Sequence, residues 1–89
     1  MSYSPLACGF LLVSQTGTPV IEESQQGRYA LIFLRREDVI CYRQQISAVR
    51  NVRAQAFQIA AMPIHQLKSL LNLQKVNICM VDNWQVMVA

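Results

Sequence analysis

The stretch "RYALIFLRREDVICYRQQISAVR", residues 28–50, changes its periodicity in the middle, and that change decides the fold. Tyr29, Ala30, Leu31, Ile32, Phe33 and Leu34 form an almost unbroken apolar run. Such a run, bounded by Gly27 and by charge, suits a strand over residues 28–35 that is covered on both faces and so central in its sheet. Beyond it Val39, Tyr42, Ile46 and Val49 recur at i, i+3, i+7 and i+10, one stripe of a helix. Glu37 and Asp38 fall in the first turn, where the helix dipole favours anions. Arg50 and Arg53 fall near the last, where it favours cations.

Towards the N-terminus, residues 1–5 read as a loose leader. An apolar strand over residues 6–15 ends at "QTGT", where Gly17 supplies a turn. A second strand runs over residues 19–23; Pro19 donates no backbone hydrogen bond and suits a strand start or an edge. The three strands read as a meander. Towards the C-terminus, "AQAFQIAA" (54–61) alternates with period two and reads as a strand. Pro63 reads as the first residue of a second helix with the stripe Ile64, Leu67, Leu70 and Leu71. "KVNICMV" (75–81) is a further strand, Asp82-Asn83 a tight turn, and "WQVMVA" (84–89) a returning strand.

The expected fold is therefore one α+β domain over residues 1–89, ordered β-β-β-α-β-α-β-β. A mixed, mostly antiparallel sheet would carry both helices on one face, because strand–helix–strand connections share one hand. That arrangement is a two-layer sandwich with its other face partly open.

The chain has 89 residues, a net charge of +3, 53% apolar residues and only 15% charged ones. A chain of this size buries roughly 60–65% of its unfolded surface. The apolar fraction then implies surface left for a partner, a second copy of the chain being the simplest. The low charge disfavours a polyanion-binding tail. No run approaches the ~20 apolar residues of a membrane span, and residues 6–13 lack the basic start and cleavage site of a signal peptide. Cys8, Cys41 and Cys79 are scattered without metal-type spacing, and read as buried free thiols in a reducing compartment, the cytoplasm.

Arg36, Arg43 and Arg50 are spaced by seven and line one edge of the first helix, beside its apolar stripe. Guanidinium groups in a row can match anions spaced along a backbone. Three phosphate contacts would give a salt slope of about −2.7, roughly 40-fold in affinity between 50 and 200 mM salt, a weak grip. Tyr42 belongs to the buried stripe, so the aromatic stacking that single-strand binders use is thin. Nucleic acid is not the favoured partner.

Catalysis finds no constellation. His65 is the only histidine, no cysteine is placed beside it, and no two carboxylates converge. One histidine and scattered cysteines do not supply the three or four ligands of a metal. Neither an enzyme nor a cofactor is expected. Trp84 is a candidate interface anchor, and with Val86 and Val88 it would present an apolar C-terminal strand open to pairing.

The order of "GFLLVSQTGTPVI", "YALIFLRREDVICYRQQI", "AFQIAAMPIHQLKSLL" and "VNICMVD" resembles the small α+β domain of SseB-type proteins and of the import-associated proteins of the chloroplast envelope and cyanobacteria. Phe33, Arg36, Glu37 and Asp38 stand at that family's strand-to-helix motif. Val39 replaces its usual Ala, and Arg36 stands near its usual capping Ser/Thr. The resemblance carries no catalytic set and implies a binding or chaperone-like scaffold. The function expected is a non-enzymatic protein-interaction module, self-associating as a dimer through an exposed sheet face or the C-terminal strand. The alternatives are weak anion or nucleic-acid binding along Arg36, Arg43 and Arg50, and a small-molecule pocket between helices and sheet.

Overall fold

The computed structural model describes residues 7–84. The expected leader, Val86 and Val88, and the returning strand beyond Trp84 lie outside the described residues. Strand β1 is Cys8–Ser14, β2 Glu22–Ser24 and β3 Gly27–Phe33. Helix α1 is Arg36–Arg50, β4 Phe57–Pro63, α2 Ile64–Leu73 and β5 Asn77–Val81. The class is α+β and the order of elements is the expected one as far as β5.

The central strand is β3, as its apolar run requires. On one side it pairs in parallel with β5, from Tyr29 opposite Asn77 to Phe33 opposite Val81. On the other side its C-terminal half pairs with β1 and its N-terminal half with β2, both antiparallel. The opening strands are thus no simple meander. β1 lies directly against β3, and the 19–24 segment wedges in beside it, through a bridge between Val13 and Pro19. β4 pairs antiparallel with β1 along its whole length.

The two helices lie on opposite faces of this sheet, which corrects the expected two-layer arrangement. Leu12, Leu31, Phe33, Phe57 and Val81 pack with Val39, Tyr42 and Ile46 of α1. Leu11, Val13, Ala30 and Ile32 pack with Leu67 and Leu71 of α2. The alternation along β1 and β3 is strict, so each strand feeds both cores. The rule of handedness does not fail here. From β3 to β4 the chain crosses the sheet in one direction, over β1. From β4 to β5 it crosses back, beyond β3. Crossovers of one hand travelling in opposite directions must use opposite faces. The result is three layers, and neither sheet face is bare.

Local chemistry explains the ends of the elements. α1 stops at Asn51, which takes the left-handed conformation (φ 55°), and the N–H of Val52 bonds back to the Ser47 carbonyl at 3.0 Å. This is the hydrogen-bonded helix stop that Asn tolerates better than most residues. Residues 54–56, expected as strand, form one turn of 3-10 helix, and the strand begins at Phe57; two alanines give little to hold extended backbone. Pro63 ends β4 and caps the helix, which begins at Ile64, one residue later than expected. Val49 and Leu70, expected in the buried stripes, are exposed: Val49 stands in the last turn of α1, and Leu70 is turned about 100° from the buried Leu71 and off the face that packs on the sheet.

Gly9 marks where α2 approaches β1 most closely. A Cβ there would stand 2.9 Å from Ile32 Cγ2 and 3.1 Å from both Ile64 and Leu67. Nearby, the Ile64 N–H bonds to the Ala7 carbonyl at 2.9 Å, fixing the start of the helix to the strand. Gly9→Ala is expected to destabilise the protein by about 1–3 kcal/mol through overpacking, measured by urea denaturation; a change below about 0.5 kcal/mol would mean that α2 can shift away.

Candidate functional site

The first turn of α1 and the end of β5 are tied together through one carboxylate. Asp38 is 4% exposed, the only charged residue buried among those described. Its Oδ2 accepts the backbone N–H of Trp84 at 3.2 Å and lies 3.5 Å from Arg35 Nε. Arg35 Nε also donates to the Asp82 carbonyl at 3.2 Å, and the Leu34 N–H donates to the Val81 carbonyl at 3.0 Å. Asp38 thus does more than complement a dipole. It satisfies a donor on the far chain and turns that chain onto the α1 face.

Trp84 is thereby drawn toward α1. Its ring joins Phe33 and Tyr42 in a three-ring cluster, with centroids 5.2, 5.6 and 5.4 Å apart, and both of its own contacts are edge-to-face. Such contacts add about 0.5–1.5 kcal/mol beyond simple burial.

The cluster closes one end of a groove of 510 Å³. Tyr42, Gln45, Ile46 and Val49 of α1 form one wall, and Tyr29, Leu31 and Cys79 form the floor. Glu22 lies opposite Tyr29 across the β2–β3 pair and accepts a hydrogen bond from the Tyr42 hydroxyl at 2.5 Å. Burial, then the hydrogen bond to Glu22 and its negative charge, push the Tyr42 phenol far above its ordinary value. The lining is apolar with a polar rim, the composition of a binding groove. Val49, 81% exposed, stands at its open side.

The residues singled out from sequence are divided by the structure. Trp84 lies in the groove lining. Arg36 and Arg50 are exposed, whereas Arg43 is half-buried, and its Nε is buried without a hydrogen-bond partner. The three share one helix edge, about 100° round the axis from Tyr42, and none of them lines the groove. Arg35 rather than Arg36 pairs with Asp38. Glu22 and Cys79 carried no sequence signal, since each reaches the groove only through strand pairing. The cysteines are free as expected but not buried: Cys8 is exposed, and Cys41 and Cys79 are half-buried. Among the described residues no three metal-binding side chains converge, and no helix is long and apolar enough to cross a membrane.

Two measurements test this geometry. Asp38→Ala leaves the Trp84 N–H without its acceptor and is expected to cost about 1–3 kcal/mol in chemical denaturation, with loss of near-ultraviolet tryptophan signal. The raised Tyr42 pKa means that its contribution is intact below the free phenol value of about 10 and is lost as pH rises above it. The stability gap between wild type and Tyr42→Phe should therefore shrink above pH ~10; a gap that is constant with pH would contradict the buried, hydrogen-bonded phenol.

No family model and no curated protein matches the chain. Among solved structures, Anabaena Tic22, titled for protein transport, matches with a TM-score of 0.59 at 11% identity. The match covers 89% of this chain and 42% of that one, so this chain spans less than half of that protein's length. The likeness is one of fold.

Proposed function

We propose that the protein is a non-enzymatic interaction module that self-associates. The observation that carries this reading is the side of the domain, where α1, β3 and β5 meet, that no other described residue covers. There an apolar groove lies open along β5, and among the described residues β5 has a strand partner on one side only. The expected contact moves accordingly. A helix occupies each sheet face, which leaves the edge and its groove rather than a bare face. Val49 at the groove mouth, together with Val52, Leu70 and Leu73, leaves apolar side chains in water near the C-terminal ends of both helices.

The shared fold with a protein-transport protein supports protein binding over catalysis, and the resemblance to SseB-type proteins supports a scaffold role. Three free cysteines suit a reducing compartment, and we place the protein in the cytoplasm. A second reading, favoured by the size of the same groove, is binding of a small apolar molecule; it would show as a ligand-induced rise in melting temperature.

Light scattering at low micromolar concentration is expected to return twice the mass of one chain. The mass of a single chain at every concentration up to roughly 100 μM would remove the self-association reading.

A further inference from the structure

The direction of the backbone groups in β5 identifies the pairing that its edge can accept. The Val81 carbonyl accepts a hydrogen bond from Leu34, so Val81 faces β3. Backbone direction alternates along a strand, so Asn77 and Cys79 face β3 as well, while Ile78 and Met80 direct their N–H and C=O groups outward. Nothing within Asn77–Val81 guards this edge: there is no charge, no proline and no bulge. Edges of monomeric proteins carry such guards because an unguarded edge recruits another strand. Ile78, Cys79 and Met80 are all only half-buried.

We infer that a second copy of the chain pairs its β5 antiparallel with this β5, about a two-fold axis at Cys79. This rests on the self-association proposed above and specifies its contact. The register follows from three constraints. Outward residues must meet outward residues, which sets Ile78 opposite Met80 in two symmetry-related pairs joined by backbone hydrogen bonds. All five residues of β5 overlap only when the axis passes through the middle one, Cys79. Charge then falls into place at both ends: Lys75 of one copy comes beside Asp82 and Asn83 of the other, both Lys75 and Asp82 being exposed. A parallel arrangement would instead set like charges together. A two-fold contact is also the one that closes a dimer without leaving a repeating edge.

In this register the two Cys79 side chains are direct neighbours at a position without backbone hydrogen bonds, where opposing Cα atoms are about 4.5 Å apart. Both lie on the α1 face, so the grooves of the two copies join across the axis. The sheet becomes continuous through the dimer.

Cross-linking with a short bis-maleimide, read together with light scattering, tests the pairing. The Cys8→Ser/Cys41→Ser variant, which keeps Cys79, is expected to give covalent dimer, and Cys79→Ser none. Met80→Pro removes an outward N–H and should weaken dimerisation at least tenfold, roughly, with circular dichroism unchanged. Lys75→Glu should weaken it as well, and Lys75→Glu/Asp82→Lys should restore it; both positions are exposed, so folding is not at stake. A dimer by light scattering that cross-links through Cys8, which stands opposite Pro63 at the end of β4, would move the contact to the other edge and overturn this inference alone. The same holds if the charge exchange restores nothing. A wild-type chain that stays monomeric overturns both this pairing and the proposed function.

Discussion

A central strand that must bury both of its faces is the constraint on which the rest of this small fold depends. Ala30, Leu31, Ile32 and Phe33 are all buried, two facing α2 and two facing α1. Over these four positions no face of β3 is left for polar residues, and β1 meets the same demand at Leu11, Leu12 and Val13. Two cores in place of one require apolar residues at consecutive positions. That demand absorbs much of a composition which, for a two-layer domain, would be surplus. The high apolar fraction is therefore largely a consequence of three layers, and the argument for a partner falls on particular places, namely the β5 edge, the groove and the helix ends.

The second organising contact is Asp38. A buried carboxylate is costly unless its lone pairs and charge are matched. Here the match comes from Arg35, three residues before it, and from the Trp84 N–H, forty-six residues after it. The contact closes α1 against the end of β5, the two elements that flank the C-terminal end of β3. It also decides the fate of Trp84. Drawn onto the α1 face, the indole completes the ring cluster and forms the end wall of the groove. Tyr42 connects the same cluster to Glu22 on β2, so the groove is framed at both ends by polar contacts that span elements distant in sequence.

How much of this was legible follows from the range of each interaction. The switch from continuous to helical periodicity around Phe33 is local, and it gave β3, α1 and the central place of β3. The stripes Val39–Tyr42–Ile46 and Ile64–Leu67–Leu71 were local for the same reason. The faces on which the helices lie were not legible, because they depend on where β5 inserts, beyond β3 rather than beyond β4, and strand order leaves no mark in either helix. The candidate site was less legible still. Glu22 reads only as an acid of the second strand and Cys79 as a buried thiol; their shared groove exists only once β2 and β5 have both paired with β3. Trp84 was visible as a residue of interest, though its partners were not. Arg36, Arg43 and Arg50 do form a line, as helical geometry dictates, but the line lies on the flank of α1 away from the groove.

The two edges of the sheet are chemically unequal, and this inequality bears on function. β4 is paired with β1 at all seven of its positions and is closed at its ends by the turn at 54–56 and by Pro63. β5 is shorter, joins the sheet in parallel, and continues into a chain segment that leaves its line at Asp82 to reach Asp38. That departure keeps Trp84 from covering the strand it follows. The interaction that anchors the end of β5 thus also sets the end wall of the groove, beside an edge on which pairing with β3 directs Ile78 and Met80 outward. A backbone edge supplies affinity through hydrogen bonds and an adjoining groove supplies selectivity through side chains; in this fold Asp38 is the residue that brings the two together.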